Sequence, residues 1–147
     1  MFIKMVKEAD IYAPAYANET DACMDLKVKI TQGKYILKPQ EIKTFGTGLK
    51  VSVPENHVML IFPRSSTGIK LNCMLTNTTG VIDNAYKDEI RMSLYNFGNE
   101  DIELIDGQRL AQFMIIERPN ITPIFVEDDE EWRKMDRGGG IGSSGKI

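Results

Sequence analysis

The stretch Met24-Asp25-Leu26-Lys27-Val28-Lys29-Ile30 decides the fold class, because apolar and polar side chains alternate along it. Side chains two positions apart lie on the same face of a β-strand. The apolar face of this predicted strand consists of Met24, Leu26, Val28 and Ile30. A strand of this kind packs one face on a hydrophobic core and exposes the other face to solvent.

The same alternation recurs along the chain between turn signals. It appears in residues 49–53, 90–94 and 102–104. Two nearly continuous apolar runs, residues 58–62 and 110–116, predict strands that are covered on both faces. Together with a single short helical segment at residues 65–70, these strands predict an all-β sandwich or jelly roll.

The composition limits the classes of function. The chain has 147 residues and a formal net charge of −3, and it contains no Lys/Arg run of the kind that nucleic-acid-binding proteins carry. No apolar run approaches the ~20 residues of a membrane span, and the N-terminus lacks the pattern of a signal peptide. Cys23 and Cys73 have no partner at metal-ligand spacing, so we expect reduced, buried thiols. These features predict a cytoplasmic protein that binds neither nucleic acid nor membranes.

The chain is predicted to form one domain, with residues 1–126 as its body and residues 127–147 as a strap and a glycine-rich arm of the same domain. The last ten residues, 138–147, contain five glycines and two serines. Such a segment contributes nothing to a core, so we expect the arm to be flexible.

The stretch Gly80-Val81-Ile82-Asp83-Asn84-Ala85-Tyr86 departs from the pattern of a core strand. An acid, a turn pair and an aromatic residue follow its apolar beginning, which predicts a β-hairpin whose backbone edge and tip hold a ligand. The single histidine, His57, lies beside a buried run and is expected to be structural. A general base in this chain is therefore expected to be a carboxylate.

The stretch Pro63-Arg64-Ser65-Ser66-Thr67-Gly68 follows a predicted strand and opens the helical segment. A serine at the N-cap would leave backbone N–H groups and hydroxyls free to bind an anion, and Arg64 adds a positive charge. An ordinary helix cap without a ligand explains the same residues.

Three other features add polar groups to the pattern. Gln112 follows Arg109 inside an apolar run, and a buried amide needs partners, so a ligand or an interface is predicted there. Asp25 would point outward with Lys27 as a solvated acid, or it would hold water around Mg²⁺, which prefers oxygen ligands. Residues 137–145 have the composition of a phosphate-wrapping loop, with a disordered terminus as the alternative.

Taken in order, these patches resemble the five motifs of the trimeric dUTPases (dUTP pyrophosphatases) over nearly the whole chain. In this sequence the motifs are Ala22-Cys23-Met24-Asp25-Leu26, Pro63-Arg64-Ser65-Ser66-Thr67-Gly68, Asn77-Thr78-Thr79-Gly80-Val81-Ile82-Asp83-Asn84-Ala85-Tyr86, Gly107-Gln108-Arg109-Leu110-Ala111-Gln112 and residues 137–145. The resemblance implies a jelly-roll or distorted β-barrel subunit in a homotrimer with three shared active sites. One subunit would supply the uracil hairpin, a second the phosphate contacts and the third its arm. The implied reaction is hydrolysis of dUTP to dUMP and pyrophosphate with Mg²⁺, which limits uracil in DNA and supplies dUMP for thymidylate synthesis.

The resemblance also implies roles for individual residues. Asp83 would be the general base for water attack on the α-phosphorus, and Asp25 would contact Mg²⁺ through water while the substrate phosphates hold the ion. Tyr86 would pack against the deoxyribose and exclude a 2′-hydroxyl. The backbone of Gly80, Val81 and Ile82, together with the facing strand near Met92, would bind the uracil. The Asn77 side chain would brace the hairpin. The phosphates and the arm contacts would come from Arg64, Ser65, Ser66, Gly68, Gln112, Arg137, Ile141, Gly142, Ser143 and Ser144.

The sequence departs from the family pattern at a few positions. Cys23 and Asp88 replace glycines that are common in the family, and Ile141 stands where an aromatic residue often covers the uracil. A dCTP deaminase, a relative with the same jelly roll and an Arg-Ser-Ser helix start, is the nearest alternative; the Gly-Val-Ile-Asp-x-x-Tyr segment and the arm favour the dUTPase. A jelly-roll module that binds nucleotide without turnover is the alternative from another class.

Overall fold

The computed structural model describes residues 2–126 together with Glu130 and Lys134, and this part of the chain is mostly β-sheet. Its strands are β1 (Lys4–Lys7), β2 (Met24–Lys27), β3 (Lys34–Leu37), β4 (Ile42–Gly46), β5 (Leu49–Ser52), β6 (His57–Pro63), β7 (Cys73–Leu75), β8 (Gly80–Ile82), β9 (Arg91–Asn96), β10 (Ile102–Ile105) and β11 (Arg109–Glu117). The helical elements are a 3₁₀ turn at Asp10–Tyr12 and the helix α1 at Ser65–Leu71. The predicted β fold with one short helix is therefore confirmed.

One four-stranded antiparallel sheet, with the order β2-β11-β6-β8, carries most of the predicted site residues. Gln112 of β11 pairs with Asp25 of β2 on one side and with Phe62 of β6 on the other. At the edge of this sheet, Gly80 of β8 lies opposite Ile61 of β6. The strands β4, β9 and β7 form a second sheet, and β1–β5 and β10–β3 form two-stranded pairs.

The alternating stretch at residues 24–30 forms the core side of the fold as predicted. Its inward side chains are buried at Leu26, Val28 and Ile30. The regular strand nevertheless ends at Lys27, because the next residues leave β11. The Val28 N–H donates to the carbonyl of Gln108 (3.0 Å), and the Lys29 N–H donates to the carbonyl of Gly46 (2.9 Å). The stretch therefore joins two sheets, and each fully buried aliphatic side chain stabilises that junction by about 1.5–3 kcal/mol.

Among the residues that the structure describes, the two long apolar strands β6 and β11 are covered on one face only, so the expectation of two covered faces is not met there. Met59, Ile61 and Phe113 are buried on the inner face. On the outer face, Leu60 and Met114 are half-buried and lie opposite each other across the two strands. In the described part of the chain, an apolar sheet face thus remains open.

The turn before β11 is fixed by close packing. Gly107 has a φ of +74°, and a Cβ at this position would lie 2.6 Å from Cδ1 of Ile11. The carboxylate of the preceding Asp106 accepts hydrogen bonds from the Ile30 N–H (2.7 Å) and the Tyr12 hydroxyl (3.0 Å). Burial and this carboxylate raise the pKa of Tyr12, so the hydroxyl remains a donor. The turn therefore holds the beginning of β11 in place.

The expectation of buried thiols is right for Cys73 only, because Cys23 is half-buried. Cys23 and Cys73 are both free thiols, and burial raises the pKa of Cys73 to about 11, which keeps it protonated. Among the residues described, no helix is long and apolar enough to cross a membrane.

Candidate active site

A cavity of about 580 Å³ brings three of the five motifs together. We call it the basic cavity, because its lining contains four cationic side chains and one carboxylate: Lys27, Arg64, Lys70, Arg109 and Asp25. Ser66, Thr67 and Gln108 add polar groups to the same lining. An excess of positive charge in a concave surface attracts anions such as phosphate groups.

Asp25 lies at the centre of the charges in the basic cavity. Only 7 % of this residue is exposed. Its Oδ1 lies 2.8 Å from Nε of Arg64, and its Oδ2 accepts a hydrogen bond of 3.0 Å from Nη1 of Arg109. The interpretation of Asp25 as a solvated acid is therefore wrong. Alternation predicted exposure, but two arginines from neighbouring segments cover the carboxylate and satisfy its charge.

Helix α1 begins differently from the prediction. Its N-cap residue is Arg64, in an extended conformation and without a side-chain capping bond, so the expected serine N-cap is wrong. Ser65 is exposed, whereas Ser66 lines the basic cavity. The Thr67 hydroxyl donates to the carbonyl of Leu110 (2.7 Å) and fixes the helix to β11. The beginning of the helix is thus held by its threonine.

Two further predicted phosphate contacts lie next to these groups. A Cβ at Gly68 would meet no atom within 4 Å, so this position leaves open space beside the helix. Gln112 is half-buried, and its Nε2 donates to the carbonyl of Pro63 (3.1 Å). The amide therefore has a partner within the chain, and its predicted contact with a ligand stays a prediction.

The third motif does not form the predicted two-stranded hairpin in the described part of the chain. β8 pairs with β6, while the next strand, β9, pairs with β4 and β7 in another sheet. Met92 on β9 is only 2 % exposed and lies opposite Phe45. Between the strands, the Tyr86 N–H donates to the carbonyl of Asp83 (3.1 Å) and closes a turn. Pairing of β9 with two other strands is a long-range effect that local sequence does not reveal.

Side chains of this segment differ in exposure. Gly80 is buried, and a Cβ there would lie 3.1 Å from Cβ of Ile61, so glycine permits the close approach of β8 to β6. Val81 is 60 % exposed, and Ile82 and Tyr86 pack against the core. Asp83 is exposed, and so is Asn77, which lies in the turn before β8.

Within a single chain, Asp83 lies far from the basic cavity. Ile82 of β8 pairs with Met59 of β6, so the next residue, Asp83, lies opposite position 58 of β6. Asp25 of β2 pairs with Gln112 of β11, which in turn pairs with Phe62 of β6. Four residues along the strands and three strand spacings across the sheet place Asp83 about 20 Å from Asp25. The first, second and fourth motifs meet in one chain, and the third lies apart from them.

A family model described as dUTPase matches residues 9–145 of the chain. This chain belongs to the dUTPase family. A deoxyuridine 5'-triphosphate nucleotidohydrolase of Clostridium tetani is 37% identical to it over 145 residues, which cover 98% of this chain and 95% of the relative. The corresponding protein of Caldanaerobacter subterraneus subsp. tengcongensis is 36% identical over 141 residues and covers 94% of this chain and 93% of its own length. The solved structure of the Staphylococcus bacteriophage 80alpha dUTPase with dUPNHPP superposes with a TM-score of 0.81 at 23% identity, covering 99% of both chains, and supports the same fold.

Several site residues predicted for this dUTPase-family chain belong to the arm. Arg137, Ile141, Gly142, Ser143 and Ser144 lie outside the described residues. The phosphate-wrapping role of the arm therefore stays a prediction.

The basic cavity also contains charged residues without a predicted role. Arg109 was expected only at the beginning of its strand, and Lys27 and Lys70 were not expected in the site. Lys27 follows Asp25 by two positions, so both side chains point to the same face of β2. That spacing and the need of a buried carboxylate for cationic partners are the signals that point to Lys27 and Arg109.

The described residues contain no cluster of three or more His, Cys, Asp or Glu side chains suited to a metal ion. Of the described residues that line the basic cavity, only Asp25 carries a carboxylate.

Proposed function

We propose that this chain hydrolyses dUTP to dUMP and pyrophosphate, with Asp83 activating the water that attacks the α-phosphorus. The observation that carries the proposal is the basic cavity, in which Asp25, Arg64 and Arg109 of three dUTPase motifs converge. A triphosphate carries several negative charges, and four cationic side chains complement them. The reaction would limit uracil in DNA and supply dUMP for thymidylate synthesis.

The phosphate contacts would come from the rim of this cavity. The guanidinium of Arg64 has donors beyond the Nε that faces Asp25 and can bind phosphate oxygens in a planar, directional way. The hydroxyls of Ser65 and Ser66, the open backbone at Gly68 and the amide of Gln112 would add uncharged donors. Fixed donors of this kind stabilise the charge that develops on the phosphates during hydrolysis.

Asp25 fits an indirect contact with Mg²⁺. Each of its oxygens has one arginine partner, and a carboxylate oxygen can accept a second hydrogen bond from a water molecule on the ion. Mg²⁺ keeps several waters and is commonly bound by substrate phosphates with few protein carboxylates. When bound, the ion would neutralise phosphate charge. Arg64 and Arg109 would hold the Asp25 carboxylate in the orientation for that contact.

The base and the nucleoside contacts would come from the third motif. Asp83 is an exposed carboxylate, whereas the single histidine, His57, is not part of the cavity lining. β8 is the last of the described strands in its sheet, so its outer backbone edge can pair with a uracil ring as a strand pairs with a strand. Tyr86 would pack against the deoxyribose, and Asn77 and the segment around Met92 would support this backbone.

We propose a homotrimer in which each active site combines groups from three chains. The separation of about 20 Å between Asp83 and Asp25 within one chain supports this arrangement. The open apolar face of β6 and β11 supports it as well, and so does the exposed segment after β11, where Phe125 is 89 % exposed. Residues 1–126 would form the body of each subunit, and residues 127–147 would reach the neighbouring site with Arg137, Ile141, Gly142, Ser143 and Ser144. The assembly is proposed to act in the cytoplasm.

Product analysis tests the proposed function. The protein is incubated with dUTP and, separately, with dCTP in the presence of Mg²⁺, and pyrophosphate and ammonia are measured. We expect pyrophosphate from dUTP and no ammonia from dCTP. Ammonia release would favour the deaminase, and dUTP binding without pyrophosphate would favour a binding module.

The variant Asp83→Asn tests the role of the base. The amide has the shape of the carboxylate but cannot accept the proton of water, so kcat should fall by about 10²–10⁴-fold. The Kd for dUTP, measured by calorimetry, should stay within about threefold because the phosphate contacts are unchanged. A kcat close to that of the wild type would remove Asp83 from this role.

A further inference from the structure

The loop between β8 and β9 is fixed at Tyr86 by two hydrogen bonds. The Tyr86 N–H donates to the carbonyl of Asp83 (3.1 Å), and the Tyr86 hydroxyl donates to the backbone carbonyl of Glu89 (2.8 Å). The ring is half-buried and packs against the core. Its orientation therefore depends on where the backbone of Glu89 is held.

The side chain of Glu89 is itself bound by the turn between β4 and β5. Its Oε1 accepts a hydrogen bond from the Gly48 N–H (2.8 Å) and lies 3.1 Å from Nζ of Lys29. The side chain is 20 % exposed. A Cβ at Gly46 would lie 2.3 Å from the same oxygen, so the carboxylate fills the space that any side chain at position 46 would need.

Charge and backbone bonds strengthen this attachment. Although burial opposes ionisation, the Gly48 N–H and Lys29 hold the pKa of Glu89 below its usual value. The next residue, Ile90, donates its N–H to the carbonyl of Leu49 (2.8 Å). Glu89 thus links the loop of Tyr86 to the turn between β4 and β5 through an ionised and mostly buried carboxylate.

We propose that Glu89 is a positioning residue for sugar discrimination, because its anchored carboxylate fixes the carbonyl that holds the Tyr86 hydroxyl. This inference rests on the proposed function, in which Tyr86 packs against the deoxyribose. A fixed ring leaves no space for a 2′-hydroxyl. A ring released from its carbonyl partner can move aside and admit ribose.

The test compares kcat/KM for dUTP and UTP in the wild type, Glu89→Ala, Tyr86→Phe and the double variant. Tyr86→Phe removes the hydrogen bond to the residue 89 carbonyl, and Glu89→Ala releases the backbone that positions this carbonyl, so each single variant should lower the dUTP/UTP ratio by about five- to tenfold. The double variant should lower it no further, since the two changes act on one interaction. In Glu89→Ala the change should come mainly from a lower KM for UTP, with kcat for dUTP nearly unchanged.

Two controls separate positioning from stability. Glu103→Ala removes an exposed carboxylate that pairs with Lys34 at 2.9 Å, and it should leave the ratio unchanged. Glu89→Gln keeps an oxygen for the Gly48 N–H and should recover part of the ratio. If Glu89→Ala is too unstable to assay at 37 °C, the ratio is measured for Glu89→Gln against Tyr86→Phe at a lower temperature.

The outcomes distinguish failure of the inference from failure of the proposed function. A wild type that prefers dUTP, together with a Glu89→Ala ratio within twofold of it and a lower melting temperature, would reduce Glu89 to a structural residue and overturn the inference. Additive losses in the double variant would also overturn it. A wild type that does not hydrolyse dUTP would contradict the proposed function itself.

Discussion

The basic cavity and the segment from Asp83 to Tyr86 differ in how many of their polar groups have partners within one chain. In the basic cavity, a buried carboxylate has two arginine partners, and three motifs meet in the same fold. In the other region, Asp83 is exposed, and one backbone edge of β8 has no partner among the described strands. Charges that are buried must be paired within the chain, whereas groups that await a ligand or another subunit remain open.

The largest expected effect comes from mixing two inactive variants, which tests whether the two regions act in different chains. Asp83→Asn lacks the base and Arg64→Gln lacks a phosphate contact, so each alone should lose at least about 100-fold in kcat. In a shared site, random co-assembly of equal amounts restores both groups to about a quarter of the sites. Activity is measured after joint unfolding and refolding.

The control for this experiment is each variant refolded alone. Melting temperatures close to that of the wild type would show that both variants fold. Absence of recovery in the mixture would mean that Asp83 and Arg64 act within one chain, contrary to the contrast between the two regions.

The next effect concerns the stability of the basic cavity. Asp25→Asn removes the negative charge between Arg64 and Arg109, and breaking a buried ion pair costs about 3 kcal/mol. Urea unfolding should report this loss in the free energy of unfolding. The double variant Asp25→Asn/Arg109→Gln should recover part of it, because the repulsion between the two guanidiniums is relieved.

A matched carboxylate on the surface calibrates that result. Glu103→Gln, which breaks the exposed pair with Lys34, should change the free energy of unfolding by less than about 0.5 kcal/mol. An equal loss in Asp25→Asn would mean that the buried carboxylate gains nothing from its arginines.

The smallest effect is a pH dependence at the loop of Tyr86. The Gly48 N–H and Lys29 outweigh burial and lower the pKa of Glu89 in the folded state. A carboxyl group whose pKa is lower in the folded than in the unfolded state stabilises the protein at pH values above the unfolded-state pKa. This stabilisation is lost as the pH falls through the folded-state pKa. Glu89→Gln should therefore lose about 1–2 kcal/mol at pH 7, and the difference from the wild type should shrink below about pH 4. Denaturant midpoints measured from pH 7 to pH 3.5 check this, and a constant difference would contradict it.

Local patterns predicted the strands but not their partners. The burial of Leu26, Val28 and Ile30 follows from alternation, which depends only on neighbours in sequence. The burial of Asp25 does not, because Arg64 and Arg109 reach it from distant positions. For the same reason the predicted hairpin was wrong, since β9 pairs with β4 and β7 and not with β8.

The part of the candidate site that could be predicted best is the part formed by short contiguous motifs, because their residue types and their order along the chain are visible in the sequence. The order of the five motifs pointed to the family, which the match over residues 9–145 supports. The cationic lining was incomplete in the prediction, because Lys70 enters the cavity only through the orientation of α1. Orientation of a helix depends on tertiary contacts such as the bond from Thr67 to Leu110.

The open face of Leu60 and Met114 has a consequence for the newly synthesised protein. Before the proposed homotrimer assembles, the described part of each folded monomer exposes hydrophobic surface and an unpaired strand edge, the two features that promote aggregation. At low protein concentration the monomer would remain unassembled for longer, because association of copies is slower. We therefore expect the shelf life of the purified enzyme to improve on concentration, opposite to the behaviour of most aggregation-prone proteins.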